Sequence, residues 1–403
     1  MSLALQYHRC AGRYFAARAV SATHAGGRLA GALAGNIAPL RLVDQTDPRP
    51  PGESWCRVEP VLSGICGSDL GLLTGRSSPY LGPLTSMPFV PGHEVLGRTL
   101  EELPGLPRGS RVVIDPVLGC TVRGAPSCPS CLAGHTSRCD HIITGRLTAG
   151  LQTGFCADTG GGWSRRMVAH VSQLHAVPDT LPDEIAVLVE PLACAVHAVR
   201  RVPIPAGASV LVVGAGTVGL LTLLALRKLT GAGEIHVIAK HGHQASRARE
   251  LGATAIIGTD HTARALRRST GAFLITPDLG ADYLLGGMDL AFECTGGSSG
   301  LDIALRSLRA GGTVVASGMP SGRVDLTPLW YRELNLVGAY ASAVGEEQPQ
   351  GDFPEAIALA SSAPLDGYVD TKYPLERWRD ALDHAAAAGR LGTVKVVFAP
   401  GQG

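Results

Sequence analysis

With 403 residues, 35 basic against 34 acidic side chains and a formal net charge of +1, the chain is long enough for two domains and has no charge excess to grip a polyanion. No basic stripe interleaved with aromatics occurs, and no uncharged apolar run reaches the roughly 18 residues of a membrane span, so neither nucleic acid nor membrane is an expected partner. The first ten residues lack a basic segment leading into a long apolar core, so a soluble cytoplasmic protein acting on a small molecule is expected.

Residues 1 to about 55 are rich in Ala, Gly and Arg. Here 14–20 reads as a strand, 22–36 as a small-residue loop and 48–52 as a proline turn, and none of them carries chemistry. Residues 55–62 alternate like a half-buried strand and deliver Ser63-Gly64-Ile65-Cys66-Gly67-Ser68-Asp69. Gly92-His93-Glu94 follows a proline-broken segment. Taken singly, a cysteine or a histidine reads as a core residue. Together, Cys66, His93 and Glu94 supply the thiolate, imidazole and carboxylate that zinc takes, in a number that leaves a position open to substrate.

A strand over 110–116 enters a loop holding Cys120, Cys128, Cys131 and Cys139. A C-x2-C pair with a third cysteine eight positions later suits a closed tetrahedral thiolate site, which would be structural because four thiolates exclude a substrate. Buried free thiols are the alternative. Gly160 to Gly162 reads as a mobile turn before a strand over 166–170, and residues 181–184 as a helix start. Glu190, Cys194 and His197 then share one helix face at i, i+4 and i+7, with Glu190 the functional candidate at the helix mouth and the other two packing groups.

From 209 to 340, apolar strands alternate with amphipathic helices. Strands are expected at 210–213, 234–239, 255–258, 288–294, 313–318 and 334–340, and helices at 218–229, 244–251 and 301–310. That pattern calls for a parallel sheet covered on both faces, a doubly wound domain. Gly214, Gly216 and Gly219, with Thr217 and Val218 between them, follow a strand and open a helix, the context in which G-x-G-x-x-G binds a dinucleotide pyrophosphate. At the end of the second strand no acid stands ready for a ribose hydroxyl pair. Lys240, His241, His243 and Arg247 occur instead, which favours NADP over NAD unless they form only a solvated basic loop. From about 341 the chain is expected to return to the first domain, with a helix at 377–388 and a strand at 394–398. Lys395 there either reaches a cofactor phosphate or is an edge-strand lysine.

In this order the motifs resemble the zinc-dependent medium-chain dehydrogenase/reductase family, the alcohol and polyol dehydrogenases, over nearly the whole chain after about residue 38. The matching pieces are Gly64-Ile65-Cys66-Gly67-Ser68-Asp69, Gly92-His93-Glu94, the cysteine loop, Gly161-Gly162-Trp163-Ser164, Glu190-Pro191-Leu192-Ala193, the glycine loop and Glu293-Cys294-Thr295-Gly296. The resemblance implies an α/β chain with a mainly β, GroES-like catalytic domain over 1–190 and 342–403, a Rossmann coenzyme domain over 191–341, and an active site in the cleft. It makes Cys66 and His93 catalytic zinc ligands, Glu94 a carboxylate that binds the metal in some states, and Ser68 the proton relay. Asp69 would orient the ligand histidine by fixing its tautomer. Glu190 stands where a third cysteine often occurs, would bind zinc directly or through water, and points to the sorbitol and threonine dehydrogenase branch.

Two departures stand out. Gly71 replaces a relay histidine, and Cys120 lies several residues ahead of its usual place, with 121–127 intervening, so its share in the structural zinc is open. The implied activity is reversible hydride transfer between NAD(P)(H) and a secondary alcohol or polyol, with zinc as Lewis acid. A biosynthetic dehydrogenase of a larger cyclitol or sugar and a non-catalytic NADPH-binding relative are the alternatives; an intact Cys66, His93, Glu94 and Ser68 argues against the second. A homo-oligomer, dimer or tetramer, pairing through the strand at 334–340 is also expected by analogy.

Overall fold

The computed structural model describes residues 1–22, 37–343 and 351–402. The chain divides into two compact units, Met1–Glu190 with Ala341–Ser361 and Leu365–Gly403, and Pro191–Tyr340 with Ser362–Pro364. The division falls inside the helix Val189–Arg200.

The first unit is built on a mostly antiparallel sheet. Its spatial order is Val369–Tyr373, Lys395–Phe398, Trp55–Gly64, Val95–Thr99, Arg111–Ile114 and Leu174–Ala176, with Met167–His170 pairing the start of Trp55–Gly64. The alternation in Trp55–Gly64 sends Cys56 and Val58 into a core shared with Val95, Val112, Ile114 and Met167. A second core joins Leu5 and Tyr7 of the strand Ser2–Tyr7 to Phe89, Trp163, Trp378 and Phe398. The strand Lys395–Phe398 is interior, lying parallel to Val369–Tyr373 and antiparallel to Trp55–Gly64.

The second unit holds a six-stranded, all-parallel sheet. In spatial order it runs Ala255–Ile257, Ile235–Ile238, Val210–Val213, Met288–Glu293, Leu308–Ala316 and Asn335–Gly338. Numbered along the chain within this sheet, that is order 3-2-1-4-5-6, the doubly wound arrangement whose direction reverses between Val210–Val213 and Met288–Glu293. The strands are buried on both faces, as their unbroken apolar runs require: all four residues of Val210–Val213 and of Ile235–Ile238 are buried.

Three local expectations are corrected. Residues 14–20 are not a strand but lie in the helix Ala11–Ala22, where strong helix formers, Ala and Arg, outweigh the β signal of Tyr14, Phe15 and Val20. The expected helix over 301–310 stops at Ser307, and Leu308 to Ala310 already belong to the strand Leu308–Ala316, which pairs with Met288 through an irregular register. The glycine segment before Trp163 is a packed turn instead of a mobile one. Residues 160–164 are all buried, and Gly162 and Trp163 donate their N–H groups to Gly92 and Pro91 carbonyls at 2.8 and 3.0 Å. The small-residue loop expected over 22–36 lies, beyond Ala22, outside the described residues. The stretch 271–287 forms a hairpin of Phe273–Ile275 and Tyr283–Leu285.

Candidate metal centres and dinucleotide loop

Trp55–Gly64 ends by turning into the short helix Gly67–Leu73, which places Cys66 at the helix N-cap. The turn is held by Asp69, whose Oδ2 accepts the Cys66 backbone N–H at 2.9 Å. Opposite it, the segment before Val95–Thr99 delivers His93 and Glu94. The ligand atoms of Cys66, His93 and Glu94 all lie within 4.8 Å of one another, His93 and Glu94 being buried and Cys66 half-buried. A soft thiolate, an imidazole and a carboxylate at that separation fit zinc and leave room for a further ligand.

The surroundings are arranged for a cation. Asp69 Oδ1 faces His93 Nδ1 at 3.7 Å, and among the described residues neither buried atom has a hydrogen-bond partner. A small approach of the ring lets Nδ1–H donate to Asp69 and leaves the Nε2 lone pair for the metal, the histidine–carboxylate coupling common around zinc. Burial alone would lower the His93 imidazole; Asp69 first, then Cys66 and Glu190, outweigh it and hold its pKa well above the ordinary value. Burial raises Asp69, against the pull of His93.

Lys395 is the residue that sequence reasoning misplaced. The residue is not on an edge strand, and its ammonium is engaged by a carboxylate of its own unit. It lies 3% exposed with Nζ paired to Glu94 Oε2. Burial would lower its pKa, and Glu94, then Cys66 and Glu190, reverse that shift, so the lysine is held charged. A lysine heading the otherwise apolar run Lys395-Val396-Val397-Phe398 was the available signal, since such a buried cation needs an internal partner. Gly64 makes the room: a Cβ there would lie 1.7 Å from Glu94 Oε2 and 2.7 Å from Lys395 Cε.

Glu190, 5% exposed on the first turn of Val189–Arg200, is outside the compact donor trio but near enough to act electrostatically on both His93 and Lys395. Ser68 is half-buried on the first turn of Gly67–Leu73, and Gly71 is buried in the same helix. Among the described residues, Cys194 and His197 join no donor group; His197 is buried and Cys194 half-buried.

Cys120, Cys128, Cys131 and Cys139 form a second donor group within the same 4.8 Å limit, so the displaced Cys120 does reach the other three. The helix Cys120–Arg123 delivers it, and the turn Pro129–Leu132 presents the C-x2-C pair. Backbone N–H groups point at sulfur, Cys128 N–H to Cys120 Sγ and His141 N–H to Cys139 Sγ, each at 3.3 Å. Against the effect of burial, N–H groups from Asp140 and Cys131 bring Cys128 down to about 6, while burial pushes Cys139 up to about 11. The four thiols fit a closed zinc site, one of them poised to ionise first.

In the second unit, Val210–Val213 runs into the glycine loop and the helix Thr217–Leu229. Gly214 has φ +99°, and Gly219 sits so close that a Cβ would lie 1.9 Å from the Gly214 carbonyl oxygen. Gly216 is exposed, with nothing within 4 Å of the place a Cβ would take, an open backbone that a pyrophosphate can approach. Thr217 and Val218 head the helix, whose N-terminus favours an anion. The neighbouring loop is locked by Glu293, 2% exposed, whose Oε1 accepts the Thr295 N–H at 2.7 Å and whose Oε2 accepts that of Gly296 at 3.1 Å. Beyond Ile235–Ile238, Lys240 is exposed, and His241 stacks on His243 with ring centroids 5.8 Å apart. His243 Nε2 is buried without a hydrogen-bond partner among the described residues.

Comparison with known proteins agrees with this geometry. The alcohol dehydrogenase GroES-like domain family matches residues 52–179, and the zinc-binding dehydrogenase family matches residues 217–362. L-idonate 5-dehydrogenase of Vitis vinifera is 30% identical over 69% of this chain and 70% of its own length. A Saccharomyces cerevisiae protein named as a probable diacetyl reductase, (R)-acetoin forming, is 32% identical over 66% of this chain, which spans 62% of that protein's length. Among solved structures, a Sinorhizobium meliloti protein described as a putative zinc-binding dehydrogenase, bound to NADP, superposes with a TM-score of 0.68 at 27% identity, covering 90% of this chain and 95% of that one.

Proposed function

The chain belongs to the zinc-dependent medium-chain dehydrogenase family, and from that premise we propose that it moves a hydride reversibly between a nicotinamide dinucleotide and a secondary alcohol or polyol, the partner product being the ketone. The observation that carries this reading is the buried trio Cys66, His93 and Glu94, whose ligand atoms lie within 4.8 Å of one another. Zinc held there would supply Lewis-acid polarisation of the substrate oxygen. The protein's own groups do the rest. Asp69 keeps His93 in the tautomer with the proton on Nδ1 and the lone pair on Nε2, Lys395 holds one oxygen of Glu94, Glu190 adds negative charge at the helix mouth, and Ser68 passes the substrate hydroxyl proton outward.

NADP(H) is proposed as the preferred cofactor. Support comes from Lys240, His241 and His243 at the end of Ile235–Ile238, where no carboxylate would repel a 2′-phosphate, and from the partnerless Nε2 of His243. A polyol is favoured over a simple alcohol because relatives named for idonate and sorbitol align with the chain. The four-cysteine group is proposed as a second, structural zinc site. A cytoplasmic setting is supported by a cysteine set that forms no disulfide and gathers four of its members as metal donors; no helix among the described residues is long and apolar enough to cross a membrane. Pairing of two copies through the outer strand Asn335–Gly338 is supported by the exposed Leu336 and Tyr340.

The test is a screen of polyols, secondary alcohols and ketones for change at the nicotinamide absorbance band. Turnover of a vicinal diol or polyol with NADP is expected. Absence of turnover across the whole panel, from protein that holds zinc and binds NADPH, would instead support a binding protein.

A further inference from the structure

The seven residues between Cys120 and Cys128 contain Arg123, one of the largest fully buried side chains, at 0% exposure. Its place follows from local structure. Cys120 and Arg123 are the first and last residues of a four-residue helix, closed by Gly124 in the left-handed region at φ 59°. A spacing of three puts both side chains on one face.

Among the described residues the guanidinium has no carboxylate in hydrogen-bond contact, and every nitrogen donates to a backbone carbonyl. Nε donates to Leu118 at 3.0 Å, Nη1 to Thr144, Leu147 and Thr148 at 3.1, 3.3 and 3.1 Å, and Nη2 to Gly150 at 2.6 Å. Leu118 precedes the first cysteine, and the other four carbonyls follow the last. One planar fork therefore staples the entry of the cysteine loop to its exit. The backbone reinforces it, with Arg146 N–H bonded to the Arg123 carbonyl at 2.8 Å.

Burying a cation without an ion partner costs several kcal/mol unless dipoles or nearby charge offset it. Here burial lowers the Arg123 pKa, and the negative charges that oppose that shift include Cys156, Cys139, Asp158 and Cys120. Four thiolates around one divalent ion carry a net charge of about −2, so the filled cluster supplies the charge that the arginine lacks.

We propose that Arg123 is the positioning residue of the four-cysteine site: it closes the expanded loop around the thiols and sets a fixed positive charge beside them. The inference rests on reading that cluster as a zinc site. It explains how a first cysteine displaced along the chain still reaches the other three: the extra residues supply their own fastener.

Full-length Arg123→Met and Arg123→Lys proteins test it, by zinc per chain, the rate of zinc transfer to a chromogenic chelator, and thiols titratable under native conditions. Wild type should hold two zinc ions. In Arg123→Met the ion that survives Cys66→Ser should leave at least about tenfold faster, in the range found when groups that orient metal ligands are removed, with four more thiols becoming reactive. The other ion should stay. Arg123→Lys, with the charge but fewer donors, should fall between, and it carries the test alone if the methionine variant does not fold. Wild-type release kinetics in whichever variants fold would overturn the role of Arg123. A wild-type protein with no zinc on the cysteine loop would overturn the metal reading instead.

Discussion

Lys395 and Glu94 form an ion pair inside the protein, Nζ against Oε2, with side chains 3% and 1% exposed, beside Cys66 and His93. Lys395→Met would strand a buried carboxylate without its counter-charge, a loss of about 3–5 kcal/mol. Denaturant midpoints should show that loss, and Lys395→Met/Glu94→Gln should recover most of it by removing both charges. A single variant as stable as wild type would contradict the pairing.

Gly64 is the clearance on which that pair depends. Gly64→Ala puts a methyl group on Glu94 Oε2 and Lys395 Cε. The expected result is a fall in turnover of at least about a hundredfold, in line with the sensitivity of reactions to misplacement near 1 Å. Zinc on the cysteine loop should be retained.

Cofactor choice is read from a different unit. If Lys240 and His241 meet a 2′-phosphate, Lys240→Ala and His241→Ala should each weaken NADPH about tenfold, the worth of one charge-assisted hydrogen bond, and leave NADH unchanged. Equal weakening of both dinucleotides would show instead that these residues shape the loop.

His175 stacks on Phe353, ring centroids 4.7 Å apart at 10°, and burial lowers its pKa from 6.5 to about 4. The folded state thus disfavours the imidazolium. Below about pH 6.5 the unfolded chain takes up a proton that the folded chain refuses, so stability falls with pH down to about 4, by up to roughly 3 kcal/mol from this group. Thermal melts between pH 7 and 5 should lose less for His175→Phe than for wild type; parallel losses would assign the acid sensitivity elsewhere.

The site was legible in the sequence where chemistry is local. Cys66, His93 and Glu94 stand in short runs of ligand-type residues, and the glycine loop lies between an apolar strand and a helix, so type and spacing were enough. The partner of Lys395 was not legible, because Glu94 is far away along the chain and only the pairing of Lys395–Phe398 with Trp55–Gly64 brings them together. Arg123 was hidden for the same reason: its partners are carbonyls, which every residue has. The helix Ala11–Ala22 was misread because aromatic and β-branched side chains suggested a strand in a segment whose Ala and Arg content favours a helix.

On the proposed reading, Cys66, His93 and Glu94 hold the metal on which hydride transfer depends. Its most direct test is the rate of nicotinamide reduction with a polyol, measured on wild-type and Cys66→Ser protein of known zinc content. Two zinc ions and turnover are expected for wild type, and one zinc ion with turnover lost for Cys66→Ser. Undiminished turnover by Cys66→Ser, or by wild-type protein free of zinc, would contradict it.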